Sequence, residues 1–256
     1  MDQPIDPAGE FHEVAKRFPE PFRLLIKQST ASTNDDAREL AAAGAADGLI
    51  VLALDQTAGR GRRGAAWFSE PHDSLALSIV LRPVHPKALW PRLALASGLA
   101  VAEAFESFGA ATGIKWPNDV WIGGKKAAGI LVEAGPDFAI VGIGLNIGTR
   151  RFPTEVRDLA TSLDLATGRR HPRAEVLSAL IGRLARRRHQ IGSDFDQVLD
   201  AVRQRCVLRG HRVSFLVGNQ AHVGTVENIA PGGELLVRGA QGVEKFLQAD
   251  EIRILG

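Results

Sequence analysis

Two apolar runs, Leu49 to Leu54 and Leu75 to Arg82, bracket the loop Gly59-Arg60-Gly61-Arg62-Arg63-Gly64, which Trp67 closes. Both runs have the length and apolarity of core strands, and Leu75, Leu77 and Ile79 alternate as strand residues do. The fold must therefore carry three guanidinium groups on a loop that links two strands of its core. Glycine accepts positive φ and lets backbone N–H groups approach a ligand closely, while arginine supplies a planar, permanently charged fork for carboxylate or phosphate. Taken alone, the loop is equally compatible with a solvated basic turn.

Four other segments are polar where a plain core would be apolar: Ser32-Thr33-Asn34, Lys115-Trp116-Pro117-Asn118-Asp119, Gly124-Lys125-Lys126-Ala127-Ala128-Gly129-Ile130-Leu131 and Gly142-Ile143-Gly144-Leu145-Asn146. The chain has 256 residues, 45% apolar and 23% charged, enough for one sizeable core with a small appendix. A formal charge of +2 makes no case for a nucleic-acid partner or an anionic membrane surface. One cysteine, Cys206, excludes an intramolecular disulfide, and no Cys/His cluster offers a metal cage, which fits a reducing compartment. Met1 to Glu20 is rich in acids and prolines and does not read as a signal peptide, and no apolar run approaches the ~18 residues of a membrane span. The expectation is a soluble, cytoplasmic protein.

Along the chain, a Pro-rich lead-in precedes a strand at Phe22 to Gln28. Ser32 to Asn34 then stands before an Ala-rich helix, Asp35 to Ala46, as an N-cap signature. Leu93 to Phe108 reads as a helix apolar nearly all round, hence buried against a sheet. Gly123-Gly124 and Gly135-Pro136-Asp137 turn the chain between Val120 to Ile122, Lys125 to Glu133 and Phe138 to Asn146, so three antiparallel strands carry three of the polar motifs. A loop follows, then helices at Glu175 to Ile191 and Phe195 to Arg205. The basic cluster Arg183, Arg186, Arg187, Arg188 and His189 suits the negative end of the first of these. From Cys206 onward, runs at His211 to Val217, Ala221 to Ile229, Glu234 to Arg238, Val243 to Gln248 and Glu251 to Leu255 read as close-spaced strands of a small β-barrel packed on the main domain.

In order, the five motifs resemble those of the biotin protein ligases, over essentially Leu24 to Gly256. The resemblance implies an α/β (α+β) catalytic domain, residues 1–205, with a mixed sheet flanked by helices, and an SH3-like β-barrel at residues 206–256. It implies that ATP and biotin form biotinyl-5′-AMP with release of pyrophosphate, and that biotin then passes to one lysine of a biotin carboxyl carrier protein. The residue types suit that chemistry. Two anions must meet, and at ~4 Å their repulsion is roughly 4 kcal/mol at an effective dielectric of 20.

By resemblance, the loop from Gly59 folds over biotin and adenylate, with Arg60 and Arg62 neutralising carboxylate and phosphate and Trp67 stacking on adenine. Ser32, Thr33, Asn34 and Gln56 meet the ureido ring, a role compatible with capping the helix. Lys126 of the KxxGIL pattern lies between the biotin carboxylate and the α-phosphate, where a fixed ammonium stabilises the charge that grows during attack. Gly129 leaves room for the bicyclic ring. Lys115, Asn118 and Asp119 of KWPND sit by the phosphates, Asn118 and Asp119 also by the magnesium (Mg2+) they carry, and Asn146 lies near ribose and adenine. Asp119 is the nearest group to accept a proton from the carrier lysine. Trp67 read without the resemblance is a core tryptophan after a turn.

Only about 30 residues precede Ser32, too few for the helix-turn-helix module of some members, so a ligase without DNA binding is expected, as a monomer or weak homodimer. Ala65-Ala66 departs from the basic or polar pair often found before the tryptophan. Two rival readings differ from this one. A lipoate ligase or octanoyl transferase would lack the arginine loop and KWPND, and the transferase would need a placed cysteine. A binding module without activity would not need Lys126 beside Arg60, Arg62 and Asn118.

Overall fold

The computed structural model describes residues 8–255; the start of the lead-in, residues 1–7, lies outside the described residues. The first part of the chain runs α1 (Gly9–Ala15), β1 (Arg23–Thr30), α2 (Thr33–Ala42), β2 (Leu49–Gln56), β3 (Ser74–Leu81), α3 (Arg92–Ser107), β4 (Thr112–Lys115), β5 (Asp119–Ile122), β6 (Lys125–Ala134) and β7 (Ala139–Asn146). Seven strands form one sheet in the order β1-β2-β3-β7-β6-β5-β4. The β1–β2 pair is parallel and the other pairs are antiparallel.

The period-two alternation of the strands sorts the core onto two faces. Ile50, Leu52, Leu77, Ile79, Val141 and Ile143 join a large cluster with Leu93, Leu99 and Phe105 of α3. Val51, Val80 and Ile140, one step out of phase, join Ala37 and Ala41 of α2. Helix α3 is buried nearly all round because it lies between the sheet and a later helix, α5 (Arg173–Arg188). The ten residues of α2 cover only part of the second face. Beyond it, the in-phase positions are small: Ala76, Ser78, Gly142 and Gly144, with Ala76 paired to Gly144 and Ser78 to Gly142. That leaves a concavity on the sheet.

The rest comprises α4 (Leu163–Thr167), α5 (Arg173–Arg188), α6 (Phe195–Arg205) and the strands β8 (Arg212–Val217), β9 (Gln220–Ile229), β10 (Leu235–Gly239), β11 (Gly242–Phe246) and β12 (Asp250–Ile254). These five strands form an antiparallel sheet in the order β11-β10-β9-β8-β12. Its Val213, Phe215, Val226 and Ile229 belong to the same core cluster as α3. Backbone and side-chain bonds tie the two sheets, from Val207 N–H to Ile114 O at 3.0 Å and from Trp116 Nε1 to Gly233 O at 2.9 Å.

Three elements differ from the sequence expectation. Part of the lead-in is helical, because Phe11 and Val14 are buried in the main core. Strand β4 escapes the pattern because it is four residues long, and α4 is a single turn and a half within the expected loop. Ser32 occupies the N-cap position of α2 but makes no capping hydrogen bond with its side chain. The arginines ending α5 reach out of the helix: Arg187 pairs with Glu103, and Arg188 with Asp47. Among the described residues, no helix is long and apolar enough to cross a membrane.

Candidate active site

The concavity holds a cavity of about 570 Å³ with a floor of small residues and a lid made by the arginine loop. Trp67 lies on that floor. A Cβ on Gly144 would overlap the indole, and one on Gly129 would stand 3.1 Å from Trp67 Cζ3 and 3.1 Å from Lys126 Cε. Gly129 therefore makes room here for Trp67 and Lys126. Trp67 Nε1 is buried without a hydrogen-bond partner, and Lys126 Nζ stands 5.5 Å from the ring centroid.

The loop bonds to itself as a small hairpin, with Trp67 N–H donating to Gly59 O at 2.9 Å and Gly61 N–H to Ala65 O at 2.6 Å. Arg63 sits in the left-handed region at φ 52°. Gly59 does not line the cavity; a Cβ there would press 2.5 Å from Gln56 Nε2 and 2.8 Å from Trp67 O, so glycine is required for the close approach.

One part of the cavity lining is neutral and polar. Ser32, Thr33 and Asn34 open α2 and are buried, although each carries a polar side chain. Gln56, at the end of β2, accepts at Oε1 from Thr33 N–H at 2.9 Å and from Thr33 Oγ1 at 3.1 Å. Asn34 Nδ2 donates to Glu133 Oε2 at 2.6 Å. This part can exchange hydrogen bonds with an uncharged polar ring in a dry slot.

The same cavity is lined by five cations, Arg60, Arg62, Arg63, Lys115 and Lys126, and by the acids Asp119, Asp250 and Glu251. Arg60 makes a two-pronged contact with Asp35, Nη1 to Oδ2 at 2.7 Å. The hydrogen bond from Arg60 holds the Asp35 carboxyl below its usual range, and the same bond raises the guanidinium. Lys126 Nζ lies 2.7 Å from Asp119 Oδ1, an ion pair whose angle leaves that oxygen without a well-formed hydrogen bond. Burial pushes the Lys115 ammonium below the usual lysine range, with Asp119 opposing the shift and Lys126 and Arg253 adding to it; its Nζ also lies 4.7 Å from the Trp121 ring centroid. Asn118 Nδ2 donates to Ile130 O at 2.8 Å, which ties the KWPND turn to β6.

Of the residues expected from sequence, Ser32, Thr33, Asn34, Gln56, Arg60 and Arg62 line this cavity together with Trp67, Lys115, Asn118, Asp119, Lys126 and Gly129. Gly59 and Asn146 do not. Asn146 is buried, donating from Nδ2 to Thr161 O at 3.1 Å, with its Oδ1 unpartnered. Sequence reasoning missed Ser78, Asp35 and the β12 contribution, Ala249 to Ile252. Ser78 carried a usable signal as a polar residue inside an apolar strand. Asp250 carried none, because the loop it meets is remote in sequence.

Among the described residues no three His, Cys, Asp or Glu side chains converge as a metal cage. The donor set of one carboxylate and one amide, Asp119 and Asn118, fits an ion that brings most of its ligands as phosphate oxygens and water, as magnesium does.

Residues 26–147 match the Biotin/lipoate A/B protein ligase family. The chain is 39% identical to the biotin--[acetyl-CoA-carboxylase] ligase of Mycobacterium tuberculosis, over 83% of this chain and 82% of that protein. It is 34% identical to the bifunctional ligase/repressor BirA of Bacillus spizizenii, over 89% of this chain and 73% of that protein. The biotin protein ligase of Aquifex aeolicus, solved in complex with biotin and ATP, superposes with a TM-score of 0.83 at 30% identity, covering 91% of this chain and 99% of that one. With a neutral polar group and five cations lining one cavity, and relatives of this similarity, the chain belongs to the biotin protein ligase family.

Proposed function

We propose that the cavity activates biotin with ATP as biotinyl-5′-AMP, releasing pyrophosphate, and that the chain then transfers biotin to a lysine of a carrier protein of acetyl-CoA carboxylase. The observation that carries this reading is that five cations line one cavity together with the neutral polar group Ser32, Thr33, Asn34 and Gln56. The neutral group takes the ureido ring and points the carboxylate at the cations. Lys126 is the group that meets both the carboxylate and the α-phosphate, so that charge building on the phosphate oxygens during attack is offset without reorganisation. The carboxylate itself is the nucleophile and needs no base.

Arg60 and Arg62 close on the adenylate, and the loop excludes water from a mixed anhydride that would otherwise hydrolyse. Trp67 offers its face to the adenine, and Lys115 takes a phosphate. Asn146, which holds Thr161 from below the site, supports the adenosine pocket through that segment. Asn118 and Asp119 are the residues that would hold a magnesium ion, which would supply charge neutralisation on the phosphates. Asp119 then takes the proton of the incoming carrier lysine. The working division is a catalytic unit of residues 1–205 and a C-terminal unit of residues 206–256, acting in the cytoplasm without DNA, as a monomer or weak homodimer.

Pyrophosphate release tests this directly. Release should depend on biotin and fail with lipoate, and biotin should appear on an added carrier domain. Tight biotin binding without release would overturn the reading.

A further inference from the structure

We infer that Glu133, which does not line the cavity, is a positioning residue that fixes the amide of Asn34 and, through Ser78, the hydroxyl of Thr33 in the neutral part of the site; this rests on the reading of that part as the seat of the biotin ring. A carboxylate accepts on both oxygens and has no hydrogen to give. Glu133 Oε2 takes one from Asn34 Nδ2 at 2.6 Å, and Oε1 lies 2.9 Å from Arg38 Nη2. The Asn34 amide is thereby locked with its nitrogen toward Glu133 and its oxygen toward Ser78. Gly142 makes this fit, since a Cβ there would overlap Asn34 Oδ1.

Ser78 is fully buried, and its Oγ lies 2.5 Å from Asn34 Oδ1 and 2.7 Å from Thr33 Oγ1. A hydroxyl has one hydrogen. Ser78 Oγ is the donor toward both, and the contact to Asn34 Oδ1, which can only accept, is the shorter. The Thr33 hydroxyl donates to Gln56 Oε1 at 3.1 Å. Its hydrogen stays inside the protein and Thr33 offers the ligand a lone pair. Gln56 Oε1 already receives the Thr33 N–H at 2.9 Å, so its amide nitrogen is its free donor. A ureido ring, with two N–H donors and one carbonyl, requires both an acceptor and a donor. The carboxylate at the far end of the chain, through Asn34 and Ser78, holds the Thr33 hydroxyl in place between them.

Steady-state kinetics of Glu133→Leu test this, with KM measured for biotin, for desthiobiotin, which keeps the ureido ring but lacks the thioether, and for ATP. Loss of the anchor should raise KM for both ring compounds by the same factor, about tenfold, with KM for ATP and kcat within twofold of wild type. Glu133→Gln, which can still turn an oxygen to Asn34, should recover most of the loss. An unchanged KM for biotin, an equal rise for ATP, or a rise for biotin without desthiobiotin overturns the inference. If Glu133→Leu loses its folded circular-dichroism signature, Ser78→Ala cuts the chain at its middle and is decided by the same readout. Failure of the wild type to release pyrophosphate with biotin would instead overturn the functional reading.

Discussion

Asp250 of β12 holds two arginines of the loop at once, with Oδ1 3.1 Å from Arg62 Nη2 and Oδ2 2.9 Å from Arg63 Nε. Arg62 Nη1 also donates to Ala249 O at 3.1 Å, and Arg63 Nη1 to Gly218 O at 3.3 Å. The C-terminal sheet thus clamps the lid of a cavity built on the other sheet. With Asp250→Asn, the lid should open more often. The expected result is faster amide exchange over residues 59–66 and a several-fold rise in AMP formed without carrier, as adenylate escapes to water. Both arginines are partly exposed and can be solvated, so the stability loss should stay within about 1 kcal/mol. Unchanged exchange over the loop would show that Asp250 does not hold it.

Lys126 is paired with Asp119 at 2.7 Å and is anchored through its backbone, Lys126 N–H donating to Leu159 O at 2.8 Å and Thr161 N–H to Lys126 O at 2.9 Å. An ammonium so fixed needs no reorganisation when charge develops beside it. Lys126→Met should lower kcat for pyrophosphate release about 10²- to 10³-fold, the cost of removing one preorganised donor. Binding of biotin, measured by calorimetry, should fall far less. A loss confined to binding would make Lys126 an anchor and move the catalytic role elsewhere.

How much of this was legible depends on how local each cause is. The β5, β6 and β7 strands were readable because Gly123-Gly124 and Gly135-Pro136 turn the chain between apolar runs, and that alone set the KWPND, KxxGIL and glycine segments side by side. The two faces of the sheet follow from alternation, and so does the placing of Ser78 and Gly142 over the site. The lid clamp was not legible: Arg62 and Asp250 are joined only by how the second sheet docks, through Trp116 and Gly233 among others. Ser32 stands at the N-cap position that the sequence marks, but an N-cap position and a capping bond are separate things, and its buried side chain lines the cavity instead. Asn146 matched a motif, yet its amide turns to Thr161, a direction that no spacing specifies.

Gly144→Ala isolates the contribution of Trp67. Gly144 does not adopt a positive φ, so alanine brings no left-handed strain, and its nearest conflict is the overlap with the indole. The indole has to shift from its place on the floor. The expected outcome is a rise in KM for ATP of about tenfold, the loss of roughly one stacking contact, with the biotin KM little changed, and a shift in tryptophan emission. A change in biotin affinity alone would place the bicyclic ring, and not the adenine, beside Gly144.

Lys115 gives the site a pH dependence whose sign can be worked out. Burial lowers its folded pKa below the ordinary lysine value near 10.4, so between the two values the unfolded chain binds more protons than the folded one. Its contribution to folding stability therefore rises with pH across that alkaline window and is smallest below the lowered pKa, where the buried ammonium carries its full desolvation cost. Nucleotide binding has the opposite sign. A phosphate prefers the protonated lysine, so ATP affinity should fall as pH rises through the lowered pKa, earlier than an exposed lysine would allow. Lys115→Arg, whose charge persists above pH 12, should flatten that alkaline decline while leaving affinity at neutral pH within a few-fold. Titration of ATP affinity against pH by calorimetry, for wild type and Lys115→Arg, checks this; parallel declines in the two proteins would show that Lys115 does not meet the nucleotide.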